Sequence, residues 1–92
     1  MINTPFPLGR LVATPGAIDT LEQYGVSSIE LLRRHNQGDW GDLCPEDYEA
    51  NNDALRYGGR LLSAYRLDEN VKVWIITEAD YSATTILLPE EY

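Results

Sequence analysis

Hydrophobic and polar positions recur at three- and four-residue spacings over the first sixty residues and alternate in twos over residues 59–92, a change of period that predicts helices first and strands last. The strands are the clearer half. Residues 60–67 run Arg60, Leu61, Leu62, Ser63, Ala64, Tyr65, Arg66, Leu67, and the polar trio Asp68, Glu69, Asn70 separates them from residues 71–78, rich in β-branched and aromatic side chains. A short polar loop between two such runs predicts a hairpin. After a second turn at residues 79–82, residues 83–88 form a third run that Pro89 stops, because proline has no N–H for a ladder. The expected result is a three-stranded antiparallel meander.

Alternation divides the middle strand into one face with Val71, Val73, Ile75 and Thr77 and another with Lys72, Trp74, Ile76 and Glu78. The helices should cover the first. Trp74 and Ile76 then need cover from the N-terminal strand, from a target, or from a second copy in a homodimer.

Ahead of the meander, residues 9–13 are apolar enough for a short first strand, and Thr14-Pro15 supplies a helix N-cap followed by proline at the first helical position. That helix should run to Tyr24 with Ile18 and Leu21 inward and Gly25 as its left-handed stop. Ser27, Ser28, Ile29 and Glu30 read as a capping box for a second helix that buries Ile29 and Leu32 and ends on Arg33, Arg34 and His35, charges that suit a helix C-terminus. A third helix starts at Pro45, carries Glu46 and Asp47 in its first turn and stops at Gly58-Gly59. Its inward face is read as Tyr48, Asn51 or Asn52, and Leu55, with Ala54 alongside. The fold class expected is α+β, one domain over residues 1–92: a short N-terminal strand, three helices, and the meander packed on them.

Charge and composition narrow the function. Fifteen acidic against seven basic residues give a net charge of −8, the wrong sign for direct binding of nucleic acid or an anionic membrane. A single cysteine, Cys44, excludes an internal disulfide and a cysteine-based zinc cluster. No apolar run approaches the ~20 residues of a membrane span, and residues 1–7 lack the basic start and apolar core of a secretory leader. A cytoplasmic protein is expected.

The least generic stretch is residues 36–44, where Gly38 and Gly41 flank Asp39-Trp40 and announce tight turns around a large aromatic. Between residues 35 and 55 there is no lysine or arginine, whereas Asp39, Asp42, Glu46, Asp47, Glu49 and Asp53 all lie there. Trp40 either plugs the core or anchors an interaction face. In the second case the partner-binding residues are Asp39, Trp40, Asp42, Glu46, Glu49 and Asp53, and the partner is a protein with a basic surface.

Residues 9–17, 38–43, 52–55, 59–65, 74–80 and 84–92 together resemble a family of small proteins carried by plasmids, integrated elements and phages, often labelled plasmid-related. The resemblance spans nearly the whole chain and departs at Tyr81, where the family tends to carry a basic residue. It implies a mobile-element setting and brings no established activity. Mobile elements keep small acidic proteins that disarm host defence nucleases, some by mimicking the charge of DNA. By analogy, the resemblance implies an accessory protein that inhibits a CRISPR or restriction nuclease complex.

Enzyme chemistry has two footholds. His35, Asp39 and Asp42 could supply a general base or, with Glu46, hold a divalent ion, although the spacing matches no catalytic or metal motif. Cys44 ahead of Pro45 sits where a helix dipole would favour a thiolate, but no second histidine is present to act as its base. Gly38 and Gly41 lack the preceding strand and the lysine of a phosphate loop. The expectation is therefore a non-enzymatic binding module without a cofactor, with a small hydrolase or metal domain on His35, Asp39 and Asp42, or a homodimeric accessory protein, as the alternatives.

Overall fold

A computed structural model describes residues 6–92; Met1 to Pro5, on which most of the leader reading rests, lie outside the described residues. The chain runs β1 (Arg10–Ala13), α1 (Pro15–Tyr24), α2 (Ser28–Asn36), α3 (Pro45–Tyr57), β2 (Leu61–Asp68), β3 (Val71–Thr77), β4 (Ala83–Leu87) and a last 3-10 turn, Pro89–Glu91. The class is α+β. The sheet has four strands in the order β1-β4-β3-β2, so the antiparallel meander is present and β1 extends it on the β4 side, parallel to β4, which makes the sheet mixed. β1 could not be placed from its own four residues. Its position follows from contacts distant in sequence, in which the Arg10 amide donates to the Ser82 carbonyl (3.0 Å) and the Thr14 amide to the Ile86 carbonyl (3.0 Å).

The hairpin pairs Leu61 with Thr77 through Arg66 with Lys72, then shifts register at a bulge so that Asp68 faces Val71. Asp68 thus belongs to β2, and the loop is the two residues Glu69-Asn70 instead of the expected three. Local signals were obeyed at the first two helix starts. The Thr14 hydroxyl accepts from the Ala17 amide (3.1 Å) with Pro15 behind it, and Gly25 closes α1 in the left-handed conformation. At α2, Ser27 accepts from the Glu30 amide (3.4 Å), but the Glu30 carboxylate turns to Arg33 (3.2 Å), so only half of the capping box forms.

The inward faces of the helices differ from the periodic reading. Ala17 joins Leu21 in the core and Ile18 is exposed; Leu31 and His35 point inward while Ile29 is 66 % exposed and Leu32 half-buried; Asn51 and Ala54 are buried, Tyr48 is half-buried, and Asn52 and Leu55 are exposed. One cause serves all three helices. The inward stripe carries a small or polar residue where the helix lies close to the sheet or hydrogen-bonds to it, so ranking by hydrophobicity picks the neighbouring stripe.

One face of the sheet takes the helices. Ala17, Leu21 and Leu31 pack on Tyr65, Val73, Ile75 and Ile86, while Phe6, Trp40, Ala54 and Leu61 form a second cluster toward the other end. On the opposite face Ile76 is buried and Trp74 half-buried, and the cover comes from the C-terminus: the Tyr92 ring meets Trp74 edge-on at 5.8 Å. Glu91 fixes this tail, accepting from the Thr14 hydroxyl (2.6 Å) and the Leu88 amide (2.8 Å). No helix among the described residues is long and apolar enough to cross a membrane.

β2 is an edge strand, and its outward backbone is sealed. The Asn51 side-chain amide donates to the Leu62 carbonyl (2.6 Å) and its oxygen accepts from the Leu62 amide (3.0 Å), so one side chain imitates a neighbouring strand. Asn51→Ala leaves both backbone groups without partners and is expected to cost about 2 kcal/mol. A urea unfolding midpoint equal to that of the wild type would show that water replaces the amide without loss.

Candidate functional site

The segment after α2 continues the sealing of β2. Gly41 bridges to Ala64 in parallel register: the Ala64 amide donates to the Trp40 carbonyl (3.0 Å), the Asp42 amide to the Ala64 carbonyl (2.6 Å), and the Asp42 carboxylate accepts from the Arg66 amide (2.9 Å). Gly41 sits at φ +80°, and a Cβ there would run into the Ala64 carbonyl oxygen, so the close approach requires glycine. Two of the proposed partner-binding residues are therefore occupied by the fold. Trp40 is 1 % exposed, stacked on Phe6 (6.3 Å) and edge-on to His35 (5.5 Å); it is a core plug and cannot anchor a partner. Asp42 spends one carboxylate oxygen on the strand edge.

Asp39 is exposed but paired. Its carboxylate receives two bonds from the Arg34 guanidinium (2.7 and 3.3 Å), which hold its pKa below the ordinary carboxylate value. Arg34 also lies over the Tyr65 ring at 4.6 Å, and the Tyr65 hydroxyl donates to the Asp39 carbonyl (2.6 Å). Burial pushes the Tyr65 hydroxyl up to about 12, so it stays a donor.

His35 is not the exposed helix cap its position suggested. It is 0 % exposed, with Nδ1 2.6 Å from the Ser63 hydroxyl and Nε2 2.9 Å from the Thr77 hydroxyl; Thr77 in turn lies 2.7 Å from the Thr84 hydroxyl, which donates to the Leu8 carbonyl (2.7 Å). The carbonyl can only accept, and that fixes the protons as far as the ring: Thr84 donates to Leu8, Thr77 to Thr84, and His35 Nε2–H to Thr77. Burial lowers the pKa of the ring to about 4, so at neutral pH it is the Nε2–H tautomer and Ser63 donates to Nδ1. The chain of bonds ties α2 to β2, β3, β4 and the N-terminal segment.

This arrangement removes the catalytic reading of His35, Asp39 and Asp42. Both ring nitrogens of His35 are used inside the core, Asp39 answers Arg34, and Asp42 answers the Arg66 amide. No group of three histidine, cysteine, aspartate or glutamate side chains suited to a metal ion occurs among the described residues. Nor is Cys44 an activated thiol. A backbone hydrogen bond at Asp47 favours the thiolate, yet the Asp47 and Glu46 side chains and partial desolvation outweigh it and raise the pKa.

Glu46, Glu49 and Asp53 are different. All three are exposed, their spacing of three and four places them on one side of α3, and the stripe continues to Tyr57, which is 77 % exposed. No cation lies within ion-pair distance of them among the described residues. No protein-family model, curated protein or solved structure matches the chain.

Sequence reasoning passed over a second charged feature, Arg66 and Lys72, which face each other directly across β2 and β3 on the sheet face that carries Trp74. Counting outward from the expected three-residue loop pairs these two residues, and the bulge between Arg66 and Asp68 keeps that pairing although the loop itself is two residues.

Proposed function

We propose that the chain is a non-enzymatic accessory protein of a mobile genetic element, docking through the acidic stripe of α3 on a basic protein surface such as the nucleic-acid channel of a host defence nuclease. The observation that carries this reading is the set of three exposed carboxylates, Glu46, Glu49 and Asp53, aligned on one helix face with no ion-pair partner among the described residues and leading to an exposed tyrosine. Charges of this kind steer association and fix its register, and an aromatic at the end of the stripe suits an anchoring role. Tyr57 takes the part that the buried Trp40 cannot. Glu46 also complements the helix N-terminus, so its negative charge serves folding as well.

Reversal of the stripe, Glu46→Lys with Glu49→Lys and Asp53→Lys, is expected to leave the domain folded and to abolish capture of the partner. The measurement is a pull-down from host lysate with tagged wild type and variant, followed by competition with DNA. Recovery of a nuclease subunit by the wild type alone, displaced by DNA and by rising salt, is the expected result. A partner retained at full yield by the triple variant would remove the stripe from the interface.

A further inference from the structure

The face of the sheet turned away from the helices is cationic in an otherwise acidic protein. Alternation places Arg10, Arg66 and Lys72 on it, with Arg60 at the start of β2, which makes four of the seven lysines and arginines in the chain. Arg60 is loosely paired with Glu78 (3.9 Å) and covers the Tyr92 ring at 5.3 Å. Arg66 and Lys72 have no carboxylate in ion-pair range among the described residues, although Glu69 and Glu90 line the same cleft as Lys72. Like charges directly opposite in a ladder destabilise it. Asp42 on the Arg66 amide and the two glutamates of the cleft lie near, yet neither cation is engaged in an ion pair among the described residues, which leaves both available to a ligand.

Beside this pair is an apolar hollow of about 300 Å³ lined by Leu62, Trp74, Ile76, Tyr92 and the stem of Arg60. From Leu62 to Arg66 is four strand residues, roughly 13 Å. We propose that this face binds an acidic protein segment in extended conformation, which seats one large apolar side chain in the Leu62–Trp74–Tyr92 hollow. Four residues further on, its carboxylates meet Arg66 and Lys72. Two free cations are too few to hold a polyanionic strand, and the hollow suits an aliphatic or phenyl group, so the chemistry favours a peptide over a nucleic acid. The proposal is independent of the α3 stripe and makes the protein two-faced, able to bridge a basic and an acidic surface.

The probe is a synthetic octapeptide with phenylalanine at its second position, aspartates at its sixth and eighth, and serine or threonine elsewhere. Trp74 is the half-exposed tryptophan of the two and reports binding by its fluorescence. The aspartate peptide should bind saturably and at least tenfold more tightly than its lysine counterpart, and Arg66→Glu with Lys72→Glu should invert that ranking. The single variant Arg66→Glu, which turns the repulsive pair into an attractive one and spares the fold, should weaken the aspartate peptide alone. Equal binding of both peptides, or no saturation at millimolar concentration, overturns the proposal. So does tighter binding of a twelve-nucleotide oligo-thymidine strand, which would make this a nucleic-acid face. Salt-sensitive self-association of the protein in sedimentation, lost in the double variant, would place a second copy there instead and overturn it as well.

Discussion

Trp40→Ala is expected to destabilise the domain by about 3 to 5 kcal/mol, the range for truncating a fully buried large aromatic. Nearly all of the side chain is removed from water, and four aromatic rings depend on one another there: Trp40 lies against Phe6 and His35, and Phe6 stacks in turn on Tyr81 at 5.9 Å. The substitution also loosens the tight turn that brings Gly41 alongside Ala64, and with it the cover of the β2 edge. Trp74→Ala provides the contrast. Trp74 is only half-buried, so the same chemical change there should cost about 2 kcal/mol or less. Urea denaturation of both variants checks the pair of values. Equal losses would mean that the Trp74 face is as fully packed as the core and would undermine its reading as a binding surface.

The parts of this fold that were legible in the sequence are those encoded by neighbours in the chain. Thr14-Pro15, Gly25, Ser27 and Pro45 set the helix ends, and the alternation on either side of Glu69-Asn70 sets the hairpin, because caps and tight turns are decided by a few adjacent residues. The remainder depends on distant contacts. β1 is parallel to β4 because the chain returns over seventy residues to meet it, and no local pattern carries that pairing. His35 read as a helix cap because it follows two arginines, and its burial became visible only once Ser63, Thr77 and Thr84 were brought to it from three strands. The candidate site divides along the same line. The acids of residues 39–53 were visible as a composition, but the partners of Asp39 and Asp42, Arg34 and the Arg66 amide, were not, and among the described residues these bonds set the two apart from Glu46, Glu49 and Asp53. Tyr81 takes φ 61° in its turn and stacks on Phe6, so its ring contributes to the core through a contact that no local pattern announces.

Acidification from pH 7 to pH 4 is expected to remove about 3 kcal/mol of stability through His35 alone. The folded protein holds this ring neutral with a pKa of about 4, whereas in the unfolded chain it returns to the ordinary value of about 6.5. Between those values the unfolded state binds the extra proton. Stability therefore rises with pH across the window, is complete above about 6.5, and falls by roughly 1.4 kcal/mol per unit as the pH drops toward 4. The cause is local and uncharged: the ring is enclosed by Phe6 and Trp40, and its two nitrogens meet the hydroxyls of Ser63 and Thr77. Carboxylates whose pKa values are lowered in the fold, Asp39 through Arg34, Asp80 through Ser82 and Glu91 through Thr14, also lose stabilisation in acid, and they do so whether or not the histidine is present. His35→Gln isolates the histidine, since an amide can still bond to both hydroxyls but does not titrate in this range. Urea midpoints for wild type and variant in half-unit steps of pH should converge as the pH falls, the wild type losing its advantage between 6.5 and 4 and the difference staying flat above 7. Parallel curves across the window would mean that the folded state accepts the proton on His35 without cost. Burial opposes this: a proton on Nδ1 would put a charge in an enclosed site, and the Ser63 hydroxyl could rotate from donor to acceptor without relieving that desolvation.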